Sequence, residues 1–335
     1  MLATHMGRHF ADVIDALLRG RIVPFLGAGV NLCNRPDGSV GTWTEPGEWL
    51  PTGAELAGYL AAQFRYPIHK ECRAADCERV DSGLDLAHVS QFGATHLGPG
   101  RLYEELLDVF DHEYPVSDVH RFLASLAFVA PNARLPWARR LLIVSTNYDD
   151  LMERAFRDRK EPFDLVFYDP ETPEPGGSPR GRFLHQRPDS EPEPIERPNE
   201  CDYPFLEDRP VILKIHGTVG RPVVITEDHY IDYLADEAFT KLPKRLLTRL
   251  CNSHLLFLGY SLRDWNFRVF LRRVKRNRTQ DFTSWAVVKS TDDDEPAFWW
   301  ERARVEIVPH DLRDYVIRLA TELDGRGSGG ERAHG

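Results

Sequence analysis

No stretch of this 335-residue sequence approaches the roughly 20 apolar residues that a membrane-spanning helix needs, which argues against a helical membrane protein. Residues 1–7 lack the charged start and apolar stretch of a secretory signal, so a cytoplasmic location is expected. Cysteine is scarce, and the count is odd. The five, Cys33, Cys72, Cys77, Cys201 and Cys251, are scattered, which fits a reducing compartment better than a disulfide scaffold. Cys72 and Cys77 are the one close pair, and no second pair follows at zinc-site spacing, so no metal is expected. Surplus positive charge is missing too. With 42 Lys and Arg against 52 Asp and Glu, the formal net charge of −10 argues against a general nucleic-acid-binding surface.

A short apolar run ending in glycines is present near the start, Arg21-Ile-Val-Pro-Phe-Leu-Gly-Ala-Gly-Val30. It reads as a buried strand turning into a loop. Gly27 and Gly29 carry no Cβ, so a phosphate could approach their backbone N–H groups. The dinucleotide fingerprint would place a third glycine where Leu32 stands, and the Gly-Lys-Ser/Thr ending of a phosphate loop is absent. Taken alone, the stretch is either a phosphate site or a tight structural turn.

The chain around it alternates strand and helix signals. Phe10, Val13, Ile14, Leu17 and Leu18 have helical spacing, and Gly20 stops that helix. Residues 31–52 read as a loop. Thr52 with Glu55 has capping-box spacing ahead of the apolar face Leu56, Tyr59, Leu60 and Phe64. Residues 52–130 read as a mostly helical inserted module. Leu141–Val144, Val166–Tyr168, Val211–Ile215, Leu255–Leu258, Trp285–Val288 and Val305–Val308 read as strands. A helix is expected over 150–157, another over 238–251, and a closing one over 312–323. Residues 170–200 hold eight prolines and are expected to be an irregular excursion. Arg268, Arg272, Arg273, Lys275, Arg276 and Arg278 line one face of a helix from Asp264, which reads as a solvated surface. Residues 325–335 read as a flexible tail.

Strands that are apolar on both faces, alternating with helices, predict an α/β doubly wound parallel sheet. Ligands in such sheets sit at the carboxyl ends of the strands, near a topological switch point. Four strands end in polar or glycine-rich turns: Gly27-Ala-Gly, Thr146-Asn-Tyr-Asp, His216-Gly and Gly259-Tyr-Ser. All four are expected on one rim.

In this order the four turns resemble the sirtuin superfamily. Gly27-Ala28-Gly29-Val30 resembles its Gly-Ala-Gly-Ile/Val NAD-binding loop. Thr146-Asn-Tyr-Asp-Asp-Leu151 is similar to its Thr-Gln-Asn-Ile-Asp-x-Leu signature, one residue shorter before the Asn. His216-Gly217 matches its His-Gly, and Gly259-Tyr-Ser-Leu262 resembles its Gly-Thr-Ser-Leu. The two Cys pairs of the zinc-bearing deacylases are lacking, since only Cys251 follows His216. Pro36-Asp37-Gly38 matches only the first two residues of the deacylase Pro-Asp-Phe-Arg. The resemblance is therefore to the zinc-less sirtuin-like NADases of bacterial anti-phage defence.

That resemblance implies a Rossmann-like, sirtuin-type catalytic domain over residues 8–324, with NAD as substrate and no metal. It implies hydrolysis of NAD⁺ to ADP-ribose and nicotinamide. Nicotinamide leaves as a neutral molecule and needs no general acid, so the task is to stabilise oxocarbenium character at the ribose carbon and to place a water. Asn147 has that role by resemblance, although Asn at that position can also cap the next helix. His216 can accept a proton from a ribose hydroxyl, directly or through water. Asp149 is either a ribose or nicotinamide-pocket residue or a helix cap. Gly259 and Ser261 are expected on the adenosine side, and Cys33 reads as packing. The resemblance further implies a homo-oligomer and a regulatory partner of Argonaute-like, ATPase or ligand-sensing type. NAD-dependent protein deacylation and a non-catalytic NAD or ADP-ribose sensor are the alternatives.

Overall fold

Ile22-Val-Pro-Phe-Leu26 is buried at every position and cannot lie at a surface. As strand β1 it turns Ile22 and Leu26 to one core and Val23 and Phe25 to another, the two-residue alternation of a strand covered on both faces. Pro24 sits within this central strand, where proline ordinarily removes a ladder bond. The cost is avoided because its nitrogen faces β2 (Leu142–Ser145), and pairing with β2 begins only at Phe25. The computed structural model describes residues 2–36, 39, 41, 43–44, 47–67, 84–128, 140–173, 181–199, 205, 208–235, 241–260, 265–278, 280, 282–289 and 295–328.

Helix α1 (Leu2–Leu18) precedes β1. After β1 comes one short 3-10 turn, Ala28–Leu32, then α2 (Gly53–Gln63), α3 (Leu86–Leu97), α4 (Pro99–Phe110) and α5 (Asp118–Phe128). Strand β2 leads through α6 (Leu151–Asp158) to β3 (Asp164–Asp169), β4 (Arg182–Gln186), β5 (Glu193–Pro194) and β6 (Val211–Lys214). Helices α7 (Glu227–Ala235) and α8 (Lys244–Cys251) follow. The chain closes through β7 (His254–Leu258), α9 (Trp265–Arg276), β8 (Ser284–Val288), α10 (Glu295–Ala303), β9 (Val305–Pro309) and α11 (Leu312–Ser328).

The nine strands among the described residues form one sheet in the order β5-β4-β3-β6-β2-β1-β7-β8-β9. All pairs are parallel except β3–β4 and β4–β5. Phe10, Leu123, Phe156 and Leu319, from α1, α5, α6 and α11, cover one face. Tyr233, Leu246, Phe270 and Trp299, from α7, α8, α9 and α10, cover the other. The fold is thus the expected doubly wound α/β sheet, and the winding reverses at β1.

Three expectations need correction. Residues 170–200 are not wholly irregular, because the proline-free stretch 182–186 pairs antiparallel with β3. Pro194 is tolerated because it lies on the two-residue edge strand β5, where a missing N–H breaks no inner ladder. Next, α5 does not join the helical module. Val119, Leu123 and Leu126 pack into the sheet core, whereas α2, α3 and α4 share a separate core with Val223 and Ile225. Lastly, α11 runs on through Gly325 to Ser328 instead of ending near Leu323, and residues 329–335 lie outside the described residues. Residues 236–240 are outside them as well, and the expected single helix over 238–251 is described from Lys244.

Candidate functional site

Strand register puts the four turns on one rim. Leu26 pairs with both Ser145 and Leu258, and Ser145 pairs with Lys214. Gly27, Thr146, Ile215 and Gly259 therefore leave the sheet at one level, from four adjacent strands. Three strand spacings span about 14 Å.

The glycines serve a purpose that sequence reasoning did not foresee. The Gly27 N–H donates to the Leu258 carbonyl at 3.1 Å, and the Gly29 N–H donates to the Gly259 carbonyl at 2.8 Å. Neither amide is bare. The loops after β1 and β7 are clasped backbone to backbone, and a Cβ at Gly27 or at Gly29 would stand 2.7 Å from the Gly259 oxygen. Gly259 has a φ of +62°, and a Cβ there would meet the Val30 nitrogen. Ala28, between the two bonded amides, is exposed, and Val30 is buried.

Asn147 lies on the neighbouring turn and is buried. Its backbone N–H donates to Ser145 Oγ at 3.0 Å, and its Nδ2 donates to the Gly27 carbonyl at 3.3 Å. It does not cap α6. Asp149, one residue ahead of the N-cap Asp150, accepts the Leu151 N–H on Oδ1 at 3.1 Å. The other oxygen, Oδ2, accepts from Asn31 Nδ2 at 2.9 Å. The Asn147 turn is thus tied to the glycine loop on one side and to its 3-10 turn on the other.

His216 follows β6 and is also buried, with its ring edge-on to Tyr230 and Tyr233 at 5.6 and 6.0 Å. Gly217 takes a φ of +92°, which lets the backbone turn against the Tyr168 carbonyl. The Val219 N–H donates to the Tyr148 carbonyl at 2.9 Å, joining the His216 turn to the Asn147 turn.

Four site residues were missed from the sequence. Asn31 holds Asp149 through its amide nitrogen, while Asn31 Oδ1 is buried with no partner among the described residues. Lys214 and Glu153 form a buried ion pair at 3.0 Å beneath the rim. His120, on α5, is buried with its Nδ1 2.8 Å from Ser117 Oγ. Burial pushes its pKa down to about 4 against the opposing pull of Asp149, so the imidazole is neutral at pH 7. One signal was legible for Lys214: a single ammonium in the otherwise apolar run Val211–Ile215 cannot be buried without partners.

Cys33 packs against the sheet core as expected. Burial, with Asp311 and Asp118 nearby, pushes its thiol up to about 12, which leaves no thiolate for nucleophilic work. Ser261, Asp37, Cys72, Cys77 and Cys201 lie outside the described residues. Among the described residues no group of three or more His, Cys, Asp or Glu could hold a metal ion, and no helix is long and apolar enough to cross a membrane.

The model of the SIR2-like domain matches residues 141–308, half of the chain. The chain belongs to the SIR2-like family. Asn147, Asp149, His216 and Gly259 fall inside the matched span of this SIR2-like chain. The Gly27–Val30 loop lies ahead of that span and joins the same rim through the register of β1. Over 196 residues the chain is also 21% identical to Defense-associated sirtuin 2 of Bacillus subtilis. That match covers 54% of this chain but only 16% of the relative's length.

Proposed function

We propose that this SIR2-like chain is an NAD⁺ hydrolase that cleaves the nicotinamide–ribose bond to give ADP-ribose and nicotinamide. The observation that carries the reading is the SIR2-like match over the very segment whose turns bear Asn147, Asp149 and His216. Strand register supports it by setting the glycine loop on the same rim.

In this reading NAD lies across the carboxyl ends of β6, β2, β1 and β7. The glycine loop with exposed Ala28, together with Gly259, faces the diphosphate and adenosine, and the resemblance assigns Ser261 to the adenosine side. Asn147 and His216 face the nicotinamide ribose. The buried Asn147 amide holds a water or a ribose hydroxyl without adding charge, and the His216 imidazole accepts its proton. Asp149 keeps its carboxylate aligned between Asn31 and the start of α6. The orphaned Asn31 oxygen is an acceptor ready for a ribose hydroxyl or for the nicotinamide amide.

Unregulated NAD hydrolysis would drain the cell that makes the enzyme. The Bacillus subtilis relative is named for defence, and we assign this chain the same setting, as a regulated effector that depletes NAD during phage infection. Residues 8–324 then form one catalytic domain, α2–α4 are its inserted module, and the chain works as an oligomer under a partner protein that triggers it. The test is nicotinamide release from NAD by the purified chain, followed chromatographically beside Asn147→Ala and His216→Ala. Full activity in both variants would sink the mechanism. Alone, the chain is expected to turn NAD over slowly, and rapid turnover without any partner would contradict the regulatory part.

A further inference from the structure

Lys214 is the last residue of β6, two positions before His216, and its side chain is 1% exposed. Its Nζ donates to the Tyr148 carbonyl at 3.1 Å, the Asp149 carbonyl at 2.6 Å, Thr218 Oγ1 at 3.0 Å and Glu153 Oε1 at 3.0 Å. An ammonium has three N–H groups, so four acceptors converge on three protons. Two of them belong to the residues directly after Asn147, Tyr148 and Asp149, and Thr218 stands two residues beyond His216.

Stability alone does not explain this ammonium. A buried ion pair is often no better than apolar side chains of similar volume, and the rest of β6 is apolar. Burial pushes the Glu153 carboxyl up, against the pull of Lys214. Glu153 Oε2 has no partner among the described residues, so the carboxylate's polar contact is concentrated on Lys214. At the rim itself the Val219 N–H to Tyr148 carbonyl bond joins the two turns. Lys214 grips both the Asn147 turn and the His216 turn from below.

We propose that the Lys214–Glu153 pair is a clamp that sets the spacing of Asn147 and His216, which makes Lys214 a positioning residue for the NAD hydrolysis proposed above. The inference rests on that reading for its chemistry, but not for its geometry. Lys214 touches no reacting atom and acts through the two turns.

Removing Lys214 alone would strand a buried carboxylate, so the useful variant is Lys214→Met with Glu153→Leu in the full chain. The pair is then replaced by apolar side chains, which avoids the stranded charge; the Asp149 carbonyl and Thr218 hydroxyl lose their donor, so a modestly lower melting temperature with a cooperative transition is expected. Nicotinamide release should nevertheless fall about 100-fold in kcat with KM little changed, the effect of misplaced catalytic groups and not of lost binding. By hydrogen exchange, the Leu151 and Val219 amides should exchange faster while β1 amides keep wild-type rates. A double variant that melts, exchanges and turns NAD over like the wild type would overturn the clamp. Thr218→Val keeps the ion pair and removes one anchor of the His216 turn. It is expected to lower kcat at constant KM, and it carries the test if the double variant does not fold, wild-type kcat then overturning the clamp. If the wild type itself releases no nicotinamide, the NAD-hydrolase reading fails. Exchange at Leu151 and Val219 then decides the clamp by itself, with unchanged rates overturning it.

Discussion

A methyl group added at Gly29 would stand 2.7 Å from the Gly259 oxygen and 2.8 Å from the Gly259 Cα, both backbone atoms that cannot rotate away. Gly29→Ala is therefore expected to destabilise the fold by about 1–3 kcal/mol, as overpacking does, and urea unfolding should show it as a lowered midpoint at constant slope. The sequence made these glycines legible as a turn of unusual shape. It did not reveal why they are glycines, because the group they approach lies some 230 residues further along the chain. The same limit hid the pairing of Asn31 with Asp149 and that of Glu153 with Lys214. Asn147 and Asp149 were legible as two residues sharing two tasks, capping and chemistry. The geometry gives the first amide of α6, that of Leu151, to Asp149 and ties Asn147 to Gly27.

At the scale of elements, local signals read well and edge effects read poorly. The Thr52–Glu55 capping box forms as its spacing requires. Glu55 does more than cap: it takes a two-pronged contact from Arg35 at 2.8 Å and accepts the Gly41 N–H. Burial raises the Glu55 carboxyl, but Arg35 and the backbone donors outweigh it and bring the pKa from 4.5 down to about 2. A lowered folded-state value means that this contact's stability is complete above pH 4.5 and is lost as pH falls toward 2. Glu55→Gln should lower the melting temperature at pH 7 and flatten the acid limb between those values. Melts at stepped pH would check both, and an unchanged acid limb would contradict the assignment. Strands β4 and β5 were not legible because eight prolines in 170–200 mask a five-residue run that is free of them. α5 was grouped with its sequence neighbours because helical periodicity tells which face is apolar, not which core receives it.

For the whole molecule, the doubly wound sheet followed from apolar strand runs separated by helices, and so did the shared rim. Register turns four short motifs, scattered from Gly27 to Gly259, into neighbours on adjacent strands. No motif alone carries a function. The SIR2-like match falls on the rim, and the proposed NAD hydrolysis and clamp are argued from that one site. The most direct measurement is chromatographic: the purified full chain at high concentration with NAD, beside Asn147→Ala and His216→Ala. The account predicts nicotinamide and ADP-ribose in equal amounts from the wild type, formed slowly, with production in either variant falling to the level of the buffer blank. Intact NAD in all three, or equal nicotinamide release by all three, would contradict it.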